Sequence, residues 1–163
     1  MPNKIYVNPE TALTWSVGGA LDIDLGGLAS GAVRVGEQHD FGASARAAWF
    51  TWKLFIDGFD TASVVPQRVE VYLAGGDGTH VAGNVGTADA AGTLVSLVNL
   101  WHLGGAGVQV TTAGTGMTYF QPNPIQIATR YISPVIYNNT DDALLGTADA
   151  HLFVLTPVPP EIQ

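Results

Sequence analysis

Short runs of β-branched and aromatic residues, each ended by Gly, Pro, Asn or Asp, recur along the whole chain. The clearest runs from Ala47 to Asp57, where Phe50, Trp52, Leu54 and every second neighbour share one face. Strict alternation of this kind predicts a strand with one buried face. About eight to ten such runs at regular spacing, without a convincing amphipathic helix, are typical of a β-sandwich or barrel. We predict an all-β, single-domain, jelly-roll-like β-sandwich with at least ~40% strand.

Several local predictions follow the same patterns. Arg68 to Ala74 alternates with Val69, Val71 and Leu73 inward, and Thr93 to Leu103 favours strand over helix because it is rich in Val, Thr and Trp. Two runs around the turn at 113–116 predict a hairpin, and Pro122 and Pro124 then break the pattern. Within Arg130 to Pro157, two apolar runs flank a turn at 138–142, which predicts two late core strands of one sheet.

No linker divides the 163 residues. We therefore predict one domain over residues 1–163, a length that can bury a core of its own. A short N-terminal arm (1–9) and a Pro-rich C-terminal tail (156–163) are expected to flank it, because prolines bound or interrupt both segments.

The charge balance excludes two classes of partner. Six Lys and Arg stand against fourteen Asp and Glu, for a net charge of −8. A chain so poor in basic residues predicts no nucleic-acid binding and no polybasic membrane contact. Charged residues make up only 12% of the chain, about half the usual share. Such a surface favours a protein that is partly covered by partners, with a compact stable β domain as the alternative.

The sequence contains no recognisable catalytic or metal-binding motif. There is no cysteine, and the four histidines (His39, His80, His102 and His151) are not spaced as metal ligands. Asp22 and Asp24 begin like a calcium loop, but Val33 stands where the loop needs Glu. Nucleophile elbows, phosphate loops and dinucleotide fingerprints are missing from the sequence. We predict a non-enzymatic protein without metal or cofactor.

The tryptophans allow one ligand hypothesis. Trp15, Trp49, Trp52 and Trp101 can form a sugar-stacking platform or belong to the core. Trp49 is the best platform candidate because its face of the strand is mixed. Trp52 shares a face with Phe50 and Leu54, so we expect it to be buried.

Several short patterns together resemble small virion structural proteins of tailed bacteriophages and prophages. They cover roughly residues 45 to 163 and carry no catalytic signature. The segments that carry the resemblance are Val71–Ala74 followed by Asp77-Gly78-Thr79, Gly83–Asp89, Arg130–Val135, Asn138-Asn139 and Leu155–Glu161.

The resemblance implies a capsid decoration or cement protein that binds and stabilises the head shell. Its partners would be the major capsid protein or other virion proteins, and it would be made in the host cytoplasm and reside in the virion. A tail, baseplate or head-fibre component remains an alternative, as does a carbohydrate-binding, lectin-like module. A hydrolase whose site is invisible in the sequence is the third class.

Both chain ends and one sheet face are candidates for partner contact. Ile5, Tyr6 and Val7 alternate as anchors in the N-terminal arm, and Pro157, Pro159 and Pro160 are expected to block further sheet pairing in the tail. Trp49 and Phe55 are the candidates on the mixed face of their strand. We expect a symmetric homo-oligomer, with a trimer as the leading hypothesis.

Overall fold

A computed structural model describes residues 10–43, 47–62, 67–108, 113–146 and 150–158. Strands make up 50% of the protein and helix is almost absent, so the prediction of an all-β sandwich with at least 40% strand is confirmed. Two antiparallel sheets pack face to face. Their strands are β1 (Leu13–Ser16), β2 (Val33–Val35), β3 (His39–Asp40), β4 (Trp49–Ile56), β5 (Gln67–Gly76), β6 (Ala90–Gly92), β7 (Trp101–Val108), β8 (Met117–Gln126), β9 (Tyr131–Asn139) and β10 (Leu152–Val158).

Strand order identifies the sandwich as a jelly roll. Sheet A has four strands in the order β1-β10-β4-β8, and sheet B has the order β6-β2-β9-β5-β7, with the short β3 also paired to β9. Without β3 and β6, eight principal strands remain. The first pairs with the eighth, the second with the seventh, the third with the sixth and the fourth with the fifth. This is the pairing of one long hairpin rolled into two sheets.

The same topology corrects two predictions. β7 and β8 do not form a hairpin, since β7 pairs with β5 in sheet B and β8 pairs with β4 in sheet A. β9 and β10 likewise lie in opposite sheets rather than in one. The reason is topological: of the successive principal strands, only β5 and β7 share a sheet, and every other connection crosses the sandwich.

The main core lies between the sheets and follows the alternation of the strands. In β4, Phe50, Trp52, Leu54 and Ile56 are each at most 1% exposed, as predicted. On the other side of the core, β5 contributes its inward-facing residues Val69, Val71 and Leu73. Trp52 lies against the rings of Tyr119 and Phe153, at centroid distances of 5.2 and 6.2 Å.

A second apolar cluster lies on the outer face of sheet B. It contains Val33, Val35, Ala74, Val85 and Val135. Two 3₁₀ segments, Ala82–Asn84 and Leu94–Asn99, belong to the chain that covers this face, and Leu97 packs on the cluster. The strand prediction for Thr93 to Leu103 is therefore wrong up to Asn99 and correct from Trp101 onward. The apolar residues that favoured strand there serve to cover a sheet instead.

Two predictions about prolines also need correction. β8 runs through Pro122 and Pro124, which lie where its register with β4 shifts between Phe50 and Trp52. β8 is an edge strand, where a missing N–H costs little. At the C-terminus, Thr156 to Val158 belong to β10, and Pro157 pairs with Phe50. Pro157 therefore does not block sheet pairing.

Candidate interaction surfaces

Sheet A presents one whole face away from the core. Strand register places the alternate residues of its four strands on this side. We call this surface the outer face of sheet A. It consists of Thr14, Ser16, Trp49, Thr51, Lys53, Phe55, Thr118, Phe120, Gln126, Leu152, Val154, Thr156 and Val158.

Aromatic side chains on this face are open to solvent. Trp49 is 46% exposed and Phe120 is 55% exposed, whereas Phe55 is half-buried. No described segment of the chain covers them in the way that residues 82–99 cover sheet B. Large side chains in this state leave apolar surface that association with a partner can remove from water.

Charge is nearly absent from the outer face of sheet A. Lys53 is the one charged residue in the set, and across the strands it stands between Val154 and Phe120. The other polar members are threonines, a serine and Gln126, whose neutral groups are cheaper to desolvate than charges. The face therefore suits a flat, apolar contact.

The structure brings together only part of the predicted contact set. Trp49 and Phe55 share the outer face of sheet A, as the alternation of β4 predicts. Pro157 lies in β10 opposite the buried Phe50, on the inward side of the strand. The remaining candidates, Ile5, Tyr6, Val7, Pro159 and Pro160, lie outside the described residues.

Sequence reasoning missed much of this face. Phe120, Leu152 and Val154 lie beside the β4 residues only because β8 and β10 flank β4. The one local signal was in β8, where the exposed Phe120 follows the inward-facing Tyr119. Local alternation tells which residues of a strand share a face, but not which strands adjoin.

A smaller apolar surface lies on the opposite side of the sandwich. The 3₁₀ segment Leu94–Asn99 packs inward through Leu97, and its other face carries Leu94, Val95 and Val98. Their exposed fractions are 52%, 81% and 78%. The molecule thus exposes apolar side chains on both broad sides.

Between the sheets, a cleft of about 380 Å³ opens at the edge where β7 begins. Its buried members are Leu73, Ile127 and Ile132, and Trp101, 44% exposed, lines it nearer the solvent. The other lining residues are Gly75, Asn99, Gln126, Ala128 and Thr129. None of these described lining residues has an ionisable side chain.

The acidic residues with shifted pKa values have structural partners. Hydrogen bonds from the Arg130 guanidinium hold the pKa of Asp40 well below its usual range, with Nε to Oδ1 at 2.7 Å. The backbone N–H groups of His80 and Thr79 lower the pKa of Asp77 in a tight turn. These carboxylates stabilise loops, and neither lines the cleft.

His151 is buried, and both of its ring nitrogens are bonded to backbone. Its Nδ1 accepts the Asp57 N–H at 3.1 Å, and Nε2 donates to the Leu145 carbonyl at 2.9 Å. This leaves neither nitrogen for a metal or a substrate. Over the described ranges, there is no group of three or more His, Cys, Asp or Glu that could hold a metal ion. No helix in that part of the chain is long and apolar enough to cross a membrane.

Comparisons with protein-family models, with curated proteins and with solved structures found no match to this chain.

Proposed function

We propose that this chain is a non-enzymatic structural protein of a phage virion, a decoration or cement protein that binds and stabilises the head shell. The observation that carries the proposal is the outer face of sheet A, which no described segment covers and which has exposed Trp49 and Phe120 and a single charge at Lys53. The sequence resemblance to small virion structural proteins supplies the setting. The attachment surface is the outer face of sheet A, and the partner is the major capsid protein or another virion protein.

The composition of this face supports protein contact. Aromatic anchors near the centre of a patch dominate binding energy at many interfaces, and charged residues are depleted there. Trp49 and Phe120 are the anchors here, and threonines make up much of the polar remainder. A shell built of many copies presents the same site many times, which suits a small protein with one flat docking face.

The size of the face favours an oligomer. Strand spacing and rise give roughly 350–550 Å² for the outer face of sheet A. A stable interface usually buries about 800 Å² on each partner, so one copy alone offers a modest contact. Several linked copies bind more tightly because the second and third contacts are intramolecular. We therefore propose a symmetric oligomer, with a trimer as the leading hypothesis.

The test begins with particles. Phage particles made with and without the gene are purified and their proteins are identified by mass spectrometry. We expect the chain in wild-type particles, and we expect the recombinant protein to rebind deleted particles up to a fixed number of copies per shell. Absence from purified wild-type particles would refute the virion assignment.

Variants then test the face itself. Trp49→Glu together with Phe120→Glu places two charges on the outer face of sheet A, and we expect particle binding to fall more than about tenfold because charge must then be desolvated. Ala88→Glu adds a charge to an exposed loop away from this face and serves as the matched control. Equal binding by the double variant and the control would assign attachment to another surface.

A further inference from the structure

The cleft at the edge between the sheets combines three features of a ligand site. Its floor is apolar, formed by the buried Leu73, Ile127 and Ile132. An exposed indole, that of Trp101, lines its side. Its volume of about 380 Å³ lies within the range of about 300–1,000 Å³ typical of small-ligand pockets.

The fold explains why the cleft exists. Trp101 pairs with Leu73 at the first position of β7, an edge strand, so its ring is directed toward the inter-sheet side at the open margin of the sandwich. Residues 127–130 cross there from β8 in sheet A to β9 in sheet B. The Ile127 N–H donates to the Ala48 carbonyl at 2.9 Å and holds this crossing in place.

A side-chain amide adjoins the indole in the lining of the cleft. Asn99 ends the 3₁₀ segment before β7 and lines the cleft as an exposed residue. Gln126 also borders the cleft, but its pairing with Trp49 places its side chain on the outer face of sheet A. The Asn99 amide has no hydrogen-bond partner in the described part of the chain. An amide offers both a donor pair and an acceptor, which matches the hydroxyl groups of a neutral ligand.

The absence of ionisable groups from the lining narrows the ligand class. A charged ligand would be desolvated in this cleft without an opposite charge. An aromatic face for an apolar ring surface, next to a neutral amide for a hydroxyl, fits a sugar ring that is apolar on one side and polar at its edge.

We propose that the cleft binds a neutral pyranose, stacked on Trp101 and hydrogen-bonded to Asn99. This inference is independent of the proposed attachment through the outer face of sheet A. It uses other residues at another place in the fold, so either proposal can fail alone. On a virion, such a site would let the protein contact a glycan while its sheet face is held by the shell.

The experiment titrates the full chain with glucose, galactose, N-acetylglucosamine and their short neutral oligomers, with sialyllactose as the acidic comparison. Binding is measured by calorimetry and by ¹H–¹⁵N spectra of the four tryptophan indoles. We expect saturable binding of at least one neutral saccharide, with a shift of the Trp101 indole signal and unchanged signals from the buried Trp15 and Trp52.

Three variants locate the site. Trp101→Ala is expected to lower affinity more than about tenfold because it removes the stacking surface, while Trp101→Phe retains most of the binding. Asn99→Ala is expected to weaken binding several-fold. Val95→Ala trims an exposed apolar side chain outside the cleft lining and is the control, with unchanged affinity.

Two results would overturn the proposal. The first is the absence of saturable binding for every neutral saccharide tested on wild-type protein. The second is binding that Trp101→Ala and Asn99→Ala leave unchanged, or that moves the Trp49 signal alone. Because the indole spectra are recorded on wild-type protein, the test stands even if Trp101→Ala does not fold.

Discussion

At the scale of single residues, Trp52 is one of the largest fully buried side chains of the core. It is fully buried and lies in the tryptophan, tyrosine and phenylalanine cluster between the sheets. We expect Trp52→Ala to lower the free energy of unfolding by about 3–5 kcal/mol through lost burial and a cavity. Chemical denaturation measures this, with the half-exposed Trp49→Ala as the matched control at about 1 kcal/mol or less.

A Trp52→Ala variant that melts within about one or two degrees of wild type would mean that the faces of β4 are reversed. The indole Nε1 of Trp52 has no hydrogen-bond partner in the described residues. Trp52→Phe removes this buried donor and keeps a ring, so its cost should be clearly smaller than that of Trp52→Ala.

Asp142 predicts a pH dependence of stability. Partial burial would raise its pKa, but hydrogen bonds from the Thr61 hydroxyl and N–H and from the Ala143 N–H outweigh burial and lower the pKa. A carboxylate with a lowered pKa stabilises the fold above the ordinary value of about 4 and loses this contribution as the pH falls through its folded value.

We therefore expect Asp142→Asn to lower the melting temperature by a few degrees at pH 7, and we expect this difference to shrink as the pH is lowered toward 3. Thermal melts across this range measure the effect. Asp60→Asn, an exposed carboxylate in the neighbouring loop, is the control and should change little at either pH. A constant difference between Asp142→Asn and wild type at all pH values would show that the charge of Asp142 is not what stabilises the loop.

At the scale of elements, β8 shows how an exposed edge is protected from pairing. It has ten residues and borders sheet A, but Pro122 and Pro124 lie at its register shift. Prolines and bulges at an edge discourage pairing with other chains. We expect Pro122→Thr with Pro124→Thr to increase self-association, measured by light scattering at rising concentration.

Asn123→Thr is the matched control for the β8 prediction, since it raises strand propensity and keeps both prolines. It should scatter like wild type. If the double proline variant stays as dispersed as this control, the prolines serve only to accommodate the bulge.

At the scale of the whole molecule, the N-terminal arm and the outer face of sheet A are separate candidates for holding a neighbour. Deletion of residues 1–7 keeps Glu10, whose carboxylate accepts the Ala47 N–H at 2.7 Å. We expect the truncated chain to keep its melting temperature and to show weaker self-association or particle binding, measured by light scattering and by rebinding to particles.

If the truncated chain assembles and binds particles as well as the full chain, the N-terminal arm does not make the contact. The outer face of sheet A would then carry the contact alone, and the Trp49→Glu and Phe120→Glu pair would abolish it. If binding is instead lost on truncation and kept in the double variant, the N-terminal arm makes the contact and the outer face of sheet A does not.

The sequence by itself determined the fold class, most of the strands and the buried sides of β4 and β5. Alternation in β4 and β5 identifies Phe50, Trp52, Val69 and Val71 as inward residues, because successive side chains of a strand point to opposite faces whatever the strand pairs with. It also indicated a surface poor in charge. These properties are local or compositional, so no knowledge of neighbouring strands is needed to read them.

Tertiary structure alone decided which strands adjoin. The sequences of β9 and β10 do not indicate that the two strands belong to opposite sheets, because strands of a sandwich have the same alternation in either sheet. For the same reason, Phe120 meets Lys53 and Trp101 meets the Gln126–Thr129 segment only in the folded chain. Both candidate surfaces are assembled from segments distant in sequence, and their proximity depends on long-range pairing that local patterns do not encode.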